Sequence, residues 1–189
     1  MKSNVELVMD WVFVHEGGYA ERDSEPGGAV NMGISFVAYK DAWKKFKRAG
    51  EPTFADLKAM PRGSVYDDRP MDAEDIYAAW FLTPISFETL PSGVDYCMMD
   101  LVVNSGVGGG IRALRRKWKF EPLVSGKMDA KLLWALKARD SIQVIDDICD
   151  ARLSLMMSSK KWERFKDNWT KRVDKVRTRA KEMARKEIP

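Results

Sequence analysis

The 189-residue chain contains one histidine and two cysteines, and this scarcity removes several kinds of chemistry at once. Two cysteines, Cys97 and Cys149, cannot build the disulfide framework on which small secreted domains rely. Each falls in an apolar helical pattern, so buried free thiols are expected. One histidine and two distant cysteines do not make the four-ligand set of a structural zinc site. No calcium-loop spacing occurs either, and no metal or cofactor is expected. The chain also lacks any window of about 18 consecutive apolar residues, so no membrane-spanning helix is expected. Charges interrupt the apolar residues of MKSNVELVMDWVFVHEGGY, unlike the unbroken core of a secretory signal. Synthesis in the cytoplasm without a signal peptide follows as an expectation. Strand signals are confined to short pieces between Tyr19 and Ile34, and there is no internal repeat or low-complexity linker.

Charge of one sign is not strongly dominant: 32 Lys+Arg against 28 Asp+Glu leave +4. That mild basic bias favours an anionic partner without choosing one. Residues 158–189 carry more of it, with 12 Lys+Arg against 5 Asp+Glu. Acidic residues are interspersed along this basic stretch and no DNA- or RNA-binding signature is present, so no nucleic-acid partner is expected. Trp162, Phe165 and Trp169 share a helical face there and read as anchors onto a core. The last turns, Arg177–Lys186, have few large apolar residues and are expected to protrude. Electrostatic attraction of this basic end to anionic wall polymers or outer-membrane headgroups is a further expectation.

What is present is mostly helix. Ser3-Asn4-Val5-Glu6 reads as a capping box ahead of Val5, Val8, Met9, Val12 and Phe13 at helical spacing. Gly17-Gly18 stops that helix. A Gly-, Pro- and acid-rich loop follows from Tyr19 to Ile34, then a helix over about 37–48. Thr53 caps 54–60 and Asp72 caps 73–81, each with Asp three residues on. Further helices are expected over about 94–104, 111–119, 130–138, 142–157 (capped by Ser141) and 161–186. The fold class is therefore mostly α, as helical lobes around a cleft with at most a small β-hairpin in the first lobe. A catalytic region over 1–92 and a helical region over 93–189 form the expected division. The loop at 121–126 is a second place where lobes could part.

Glu16 is the residue whose position carries most chemistry. It ends an apolar helix, where the negative end of the helix dipole and neighbours such as Phe13 disfavour the anion. A carboxyl kept protonated near neutral pH is what a proton donor for glycosidic cleavage requires. Position alone equally describes a solvated Glu at a frayed helix end. Glu21, Asp23 and Glu25 crowd into the next nine residues beside Pro26-Gly27-Gly28. Glycoside hydrolysis needs a second carboxylate across the scissile bond, and a glycine-bearing loop lets one approach substrate. His15 lies about 100° around the helix from Glu16 and reads as structural or surface. Asn104 and Ser105 open an apolar helix into glycines, as a sugar-binding wall or as a helix cap. Tyr19 and Trp80 are candidate stacking platforms or core aromatics.

The run Glu16-Gly17-Gly18-Tyr19, then Pro26-Gly27-Gly28, then Asn31-Met32-Gly33-Ile34 resembles the N-terminal signature of glycoside hydrolase family 108. That family comprises lysozyme-like N-acetylmuramidases, many of them phage endolysins. The stretch Asp100-Leu101-Val102-Val103-Asn104-Ser105-Gly106 is similar to the start of the family's peptidoglycan-binding C-terminal region. Ile76-Tyr77, Trp80, Asn168-Trp169 and Arg172-Val173 extend the resemblance to about Val176. It implies that Glu16 is the catalytic acid, with Glu25, or alternatively Asp23, as second carboxylate. Tyr19, Gly28, Asn31, Asn104 and Ser105 are the expected substrate-binding positions, and peptidoglycan as partner, a monomer, and action on the cell wall after membrane permeabilisation are further expectations. The chain departs from the pattern twice. Glu25 stands where the family carries Asp, and Val30 stands where it carries Thr, losing a hydroxyl able to position water. A lysozyme-like scaffold that binds peptidoglycan or a protein without cleaving is the alternative.

Overall fold

The computed structural model describes residues 4–21, 27–63 and 71–186. Its packing divides into two units, Val5–Trp80 on one side and Phe81–Pro189 with Met1–Asn4 on the other. This division falls ahead of the 92/93 boundary expected from sequence, because Ile85, Phe87 and Leu90 are buried and the turn at Phe87–Thr89 packs on the helix that begins at Val94. Among the described residues the chain is mostly helical with one small antiparallel sheet. None of the described helices is long and apolar enough to cross a membrane.

In the Val5–Trp80 unit, helix α1 (Val5–Glu16) buries Val5, Val8, Met9 and Val12, the face its spacing foretold. It stops at Gly17, whose φ of +71° a side chain would resist. Strands β1 (Ala20–Glu21), β2 (Ala29–Asn31) and β3 (Ile34–Ser35) form a sheet in the order β1-β2-β3. Val30 stands opposite both Ala20 and Ser35, and Asn31 opposite Ile34. The third strand enlarges the expected hairpin; two residues are too few for an alternating pattern to show. Met32 and Gly33 join β2 to β3 with φ of +47° and +75°, the positive values a two-residue type I′ turn needs at both centres.

Three short helices follow. Ser35 caps α2 (Phe36–Lys45) by accepting from the Ala38 amide. Thr53 and Asp56 close a reciprocal capping box on α3 (Phe54–Ala59), as Asp72 and Asp75 do on α4 (Ala73–Tyr77). Sequence had α4 running on to Phe81. Instead it widens into a π turn over Ala78–Leu82 and then a 3-10 turn at Thr83–Ile85, where Pro84 lacks the donor a continuing helix would use.

The second unit is a helical bundle. Helix α5 (Val94–Ser105) is buried at every position from Val94 to Val102, as suits a central helix. The next helix, α6 (Val107–Trp118), starts four residues before the expected Ile111. Its glycines are helical because Gly110 lies against α5: a Cβ there would stand 3.0 Å from Leu101 and 3.2 Å from Val102. Arg115 is fully buried and donates to the Glu121 and Lys127 carbonyls and the Asp129 carboxylate. It therefore ties the 121–126 loop into this unit, and that loop divides nothing. Asp129 caps α7 (Ala130–Ala138), and Asp140, not Ser141, caps α8 (Ser141–Met157).

Helix α9 (Trp162–Lys186) corrects the expectation of a protruding tail. Ala180, Met183 and Ala184 are buried, Arg177 bonds Asp146 and Asp150, and Lys181 bonds Asp146. Alanines supply the anchoring face that a search for large apolar residues passes over. Trp162, Phe165 and Trp169 are half-buried, with the Trp169 ring stacked on Phe165 at 5.6 Å and tilted against Trp162 at 6.3 Å. Cys97 and Cys149 are buried free thiols as expected, with their sulfurs 3.8 Å apart. Beside them Asp100 is ion-paired to Arg152 and, at 3.4 Å, to Arg172. Burial and the neighbouring Arg172 lower Arg152 to about 9.

Candidate active site

Glu16 leaves the last turn of α1 half-buried and runs into the β2–β3 turn. Its surroundings are fixed by what Gly33 lacks. A Cβ on Gly33 would lie 2.5 Å from Glu16 Oε2, 2.5 Å from the Tyr77 hydroxyl oxygen and 3.1 Å from the Glu16 carboxyl carbon. A helix end, a hairpin turn and the last residue of α4 thus converge on one point, and only glycine leaves that point empty. Tyr77 is buried and its hydroxyl donates to the Met32 carbonyl at 3.0 Å, which pins the turn in place. The Tyr77 ring meets Phe13 edge-on at 4.9 Å, so an apolar wall stands one helical turn before the carboxyl.

Charge is arranged around this wall. Arg62 lies over the Phe13 ring at 5.2 Å and is bonded to Asp10 at 2.5 Å and to Glu74 at 2.9 Å. Across the β1 side, Tyr19 donates to Glu21 at 2.7 Å while the Lys58 ammonium lies 5.4 Å from its ring centroid. The Glu21 carboxylate raises the Tyr19 hydroxyl above its ordinary range. Tyr19 therefore presents a half-exposed ring held at both ends, three residues from Glu16.

The other expected site residues fall in different places. Gly28 adopts φ +79° beside the Phe54 ring. Gly27 abuts the start of α2, where a Cβ would stand 3.0 Å from Val37. Asn31 is buried on β2 and donates its amide to the Leu57 carbonyl at 2.8 Å, tying the sheet to α3. Val30 occupies the middle of that strand on the opposite, half-exposed side. Trp80 is half-buried in the π turn. Asn104 and Ser105 belong to the second unit, and both bond back into α5: Asn104 to the Asp100 carbonyl at 2.8 Å, Ser105 to that of Leu101. Glu25 and Asp23 lie outside the described residues. No group of three or more His, Cys, Asp or Glu suited to a metal ion occurs among the described residues.

Tyr77 is the member that reading the residues one by one did not bring forward. The sequence marks it only as part of the Ile76-Tyr77 resemblance, and its link to Glu16 is a long-range contact through Gly33. The Glu-Gly-Gly stop and the Asn-x-Gly turn signal were legible; their meeting was not.

Among the described residues, the Glu16 carboxyl thus stands beside a rigid turn and the Tyr77 hydroxyl on a mostly helical, lysozyme-like fold. Comparison with known proteins agrees with that class. The family model described as Glycosyl hydrolase 108 matches residues 9–106. The chain is 30% identical to the protein in a solved structure of Brucella abortus SagA, with a TM-score of 0.76 and 96% of each chain covered. No curated protein matches it. The chain belongs to the glycosyl hydrolase 108 family. It is a glycoside hydrolase, and membership supports activity on peptidoglycan.

Proposed function

We propose that the protein is a muramidase that hydrolyses the β-1,4 bond between N-acetylmuramic acid and N-acetylglucosamine, with Glu16 as proton donor. The observation that carries this reading is the setting of Glu16: a half-buried carboxyl at the end of α1, packed with the Tyr77 hydroxyl on the side-chain-free face of Gly33. A carboxyl held at a fixed turn is placed to act as a proton donor. Glu16 gives its proton to the glycosidic oxygen as the C–O bond breaks and positive charge develops on the sugar. Glu25, or Asp23, supports the incoming water or that charge. Tyr19 offers a ring for sugar stacking, and Gly28 gives the loop the left-handed turn it takes beside Phe54.

An endolysin role accords with this chemistry. The protein reaches the wall from the cytoplasm once the membrane is permeabilised, and it acts as a monomer. Exposed Lys171 and Lys175 on α9 add electrostatic attraction to anionic wall polymers. The experiment is digestion of purified peptidoglycan, borohydride reduction and mass spectrometry of the products. Reduced N-acetylmuramic acid at the new ends supports the reading. Reduced N-acetylglucosamine would reassign the bond, and binding without products would favour the non-cleaving scaffold, with Val30 in place of threonine as its physical reason.

A further inference from the structure

The chain's two cysteines meet inside the helical bundle. Cys97 on α5 and Cys149 on α8 are 1% and 2% exposed, and their sulfurs lie 3.8 Å apart. One turn further along both helices, Asp100 of α5 is ion-paired to Arg152 of α8. Residue 97 faces 149 as 100 faces 152, so two successive contacts hold α5 and α8 in one register. Arg172 of α9 reaches the same carboxylate at 3.4 Å. These ion pairs fix the helix faces that carry the thiols, so the sulfurs are neighbours because the bundle packs that way. A disulfide needs sulfurs about 2.05 Å apart, so each must move by only about 0.9 Å. We propose that Cys97 and Cys149 are a redox modification site: a latent disulfide that joins α5 to α8 when the chain folds in contact with an oxidising disulfide, and stays open where thiols are kept reduced.

The oxidant is a second disulfide, of a small thiol or of a thiol–disulfide exchange protein. The thiolate of one cysteine attacks it, forming a mixed disulfide and releasing one thiol. The other cysteine then attacks its neighbour's sulfur in that mixed disulfide, closing the Cys97–Cys149 bond and releasing the second thiol. Two electrons pass from the pair to the oxidant, and the two cysteine protons leave on the released thiols. Burial decides when this happens. In the folded bundle the sulfurs are shielded, and burial pushes the Cys97 thiol well above its ordinary range, which keeps it in the unreactive form. Exchange therefore belongs to the folding chain, and the packing of α5 on α8 then covers the finished bond. The two positions are 52 residues apart in sequence, a loop long enough to restrict the unfolded chain strongly. The chain has no third cysteine to compete within it for either partner.

The test is refolding of the full chain from reducing denaturant into buffer with excess oxidised glutathione, and in parallel into reduced glutathione alone. Alkylation after denaturation counts free thiols, a non-reducing digest with mass spectrometry maps any linkage, and thermal unfolding reads stability. The expected product of the oxidising buffer is a monomer lighter by two hydrogens, with Cys97 linked to Cys149. Its melting temperature should exceed that of the reduced protein by roughly 5–15 °C. The double variant Cys97→Ala, Cys149→Ala should melt alike in both buffers; a gain of the same size there overturns the proposal. Two free thiols in native protein from the oxidising buffer overturn it, as does a glutathione adduct on either cysteine in place of the linkage. A linkage that lowers the melting temperature overturns it too, since the sulfurs would then not be placed for the bond. Should the double variant not fold, the wild-type linkage map decides alone. Should the reduced chain not refold, the same map is read on protein expressed in a host with an oxidising cytoplasm beside one with a reducing cytoplasm. None of these readouts depends on Glu16, so the cleavage reading stands or falls separately.

Discussion

Adding one methyl group at Gly33 tests the construction of the site. At φ +75° an alanine carries a left-handed backbone cost of about 1–2 kcal/mol. Its Cβ would also stand 2.5 Å from both Glu16 Oε2 and the Tyr77 oxygen. Carbon–oxygen contacts are ordinarily no closer than roughly 3.3 Å, so each oxygen must give way by about 0.8 Å. Displacement on that scale costs about a hundredfold in rate when the displaced group is the one that reacts. Gly50→Ala is the matched control, because Gly50 has φ +70° with nothing within 4 Å of its would-be Cβ. Both variants should lose a few degrees of melting temperature, since about 1 kcal/mol corresponds to roughly 2–4 °C in a chain of this size. Only Gly33→Ala should lose about two orders of magnitude in initial rate on purified peptidoglycan. A Gly33→Ala enzyme as active as Gly50→Ala would refute the idea that this glycine is reserved for the carboxyl.

Other consequences follow from the helical unit. For Asp146 burial raises the carboxyl, but its bonds to Lys181 and Arg177 outweigh that and hold it below the usual range. A carboxyl depressed in the folded state adds stability above its unfolded value near 4, and loses it as pH falls through the lower folded value. Thermal unfolding should therefore drop steeply below about pH 4, and Asp146→Asn should flatten that acid limb while lowering stability at neutral pH. Arg115→Met should cost about 2–3 kcal/mol, read by denaturant unfolding, since it removes charged bonds to two carbonyls and to Asp129. The thiols of Cys97 and Cys149 should react with a disulfide reagent only on unfolding, being buried, with Cys97 pushed well above its ordinary range by that burial.

Local rules made much of this legible. The capping boxes at Thr53 and Asp72, the helix stop at Gly17 and the apolar face of α1 all follow from nearest-neighbour chemistry, and all stand in the structure. Glycines and alanines misled wherever long-range packing decided the outcome. Gly108–Gly110 look like a helix breaker but lie in α6, because Gly110 permits close approach to α5. Ala180 and Ala184 look like weak anchors, yet they fit where α9 crosses the bundle, close enough that a Cβ on Gly93 would strike the Ala180 carbonyl at 2.1 Å. Arg115 is buried because its partners lie on the 121–129 stretch, whose path no periodicity encodes. The site divides the same way. Glu16 and its glycines were readable; the meeting of residues 16, 33 and 77 required the hairpin and α4 to be folded together.

The most direct measurement is the rate of release of reducing ends from purified peptidoglycan by Glu16→Gln beside wild type, with circular dichroism and thermal melting of both. The amide is nearly isosteric with the carboxyl and cannot give up a proton to a leaving oxygen. We expect the same spectrum, a melting temperature at or near that of wild type, and no detectable cleavage. A folded Glu16→Gln protein that releases reducing ends at the wild-type rate would contradict the account, because the proton would then have to come from another group.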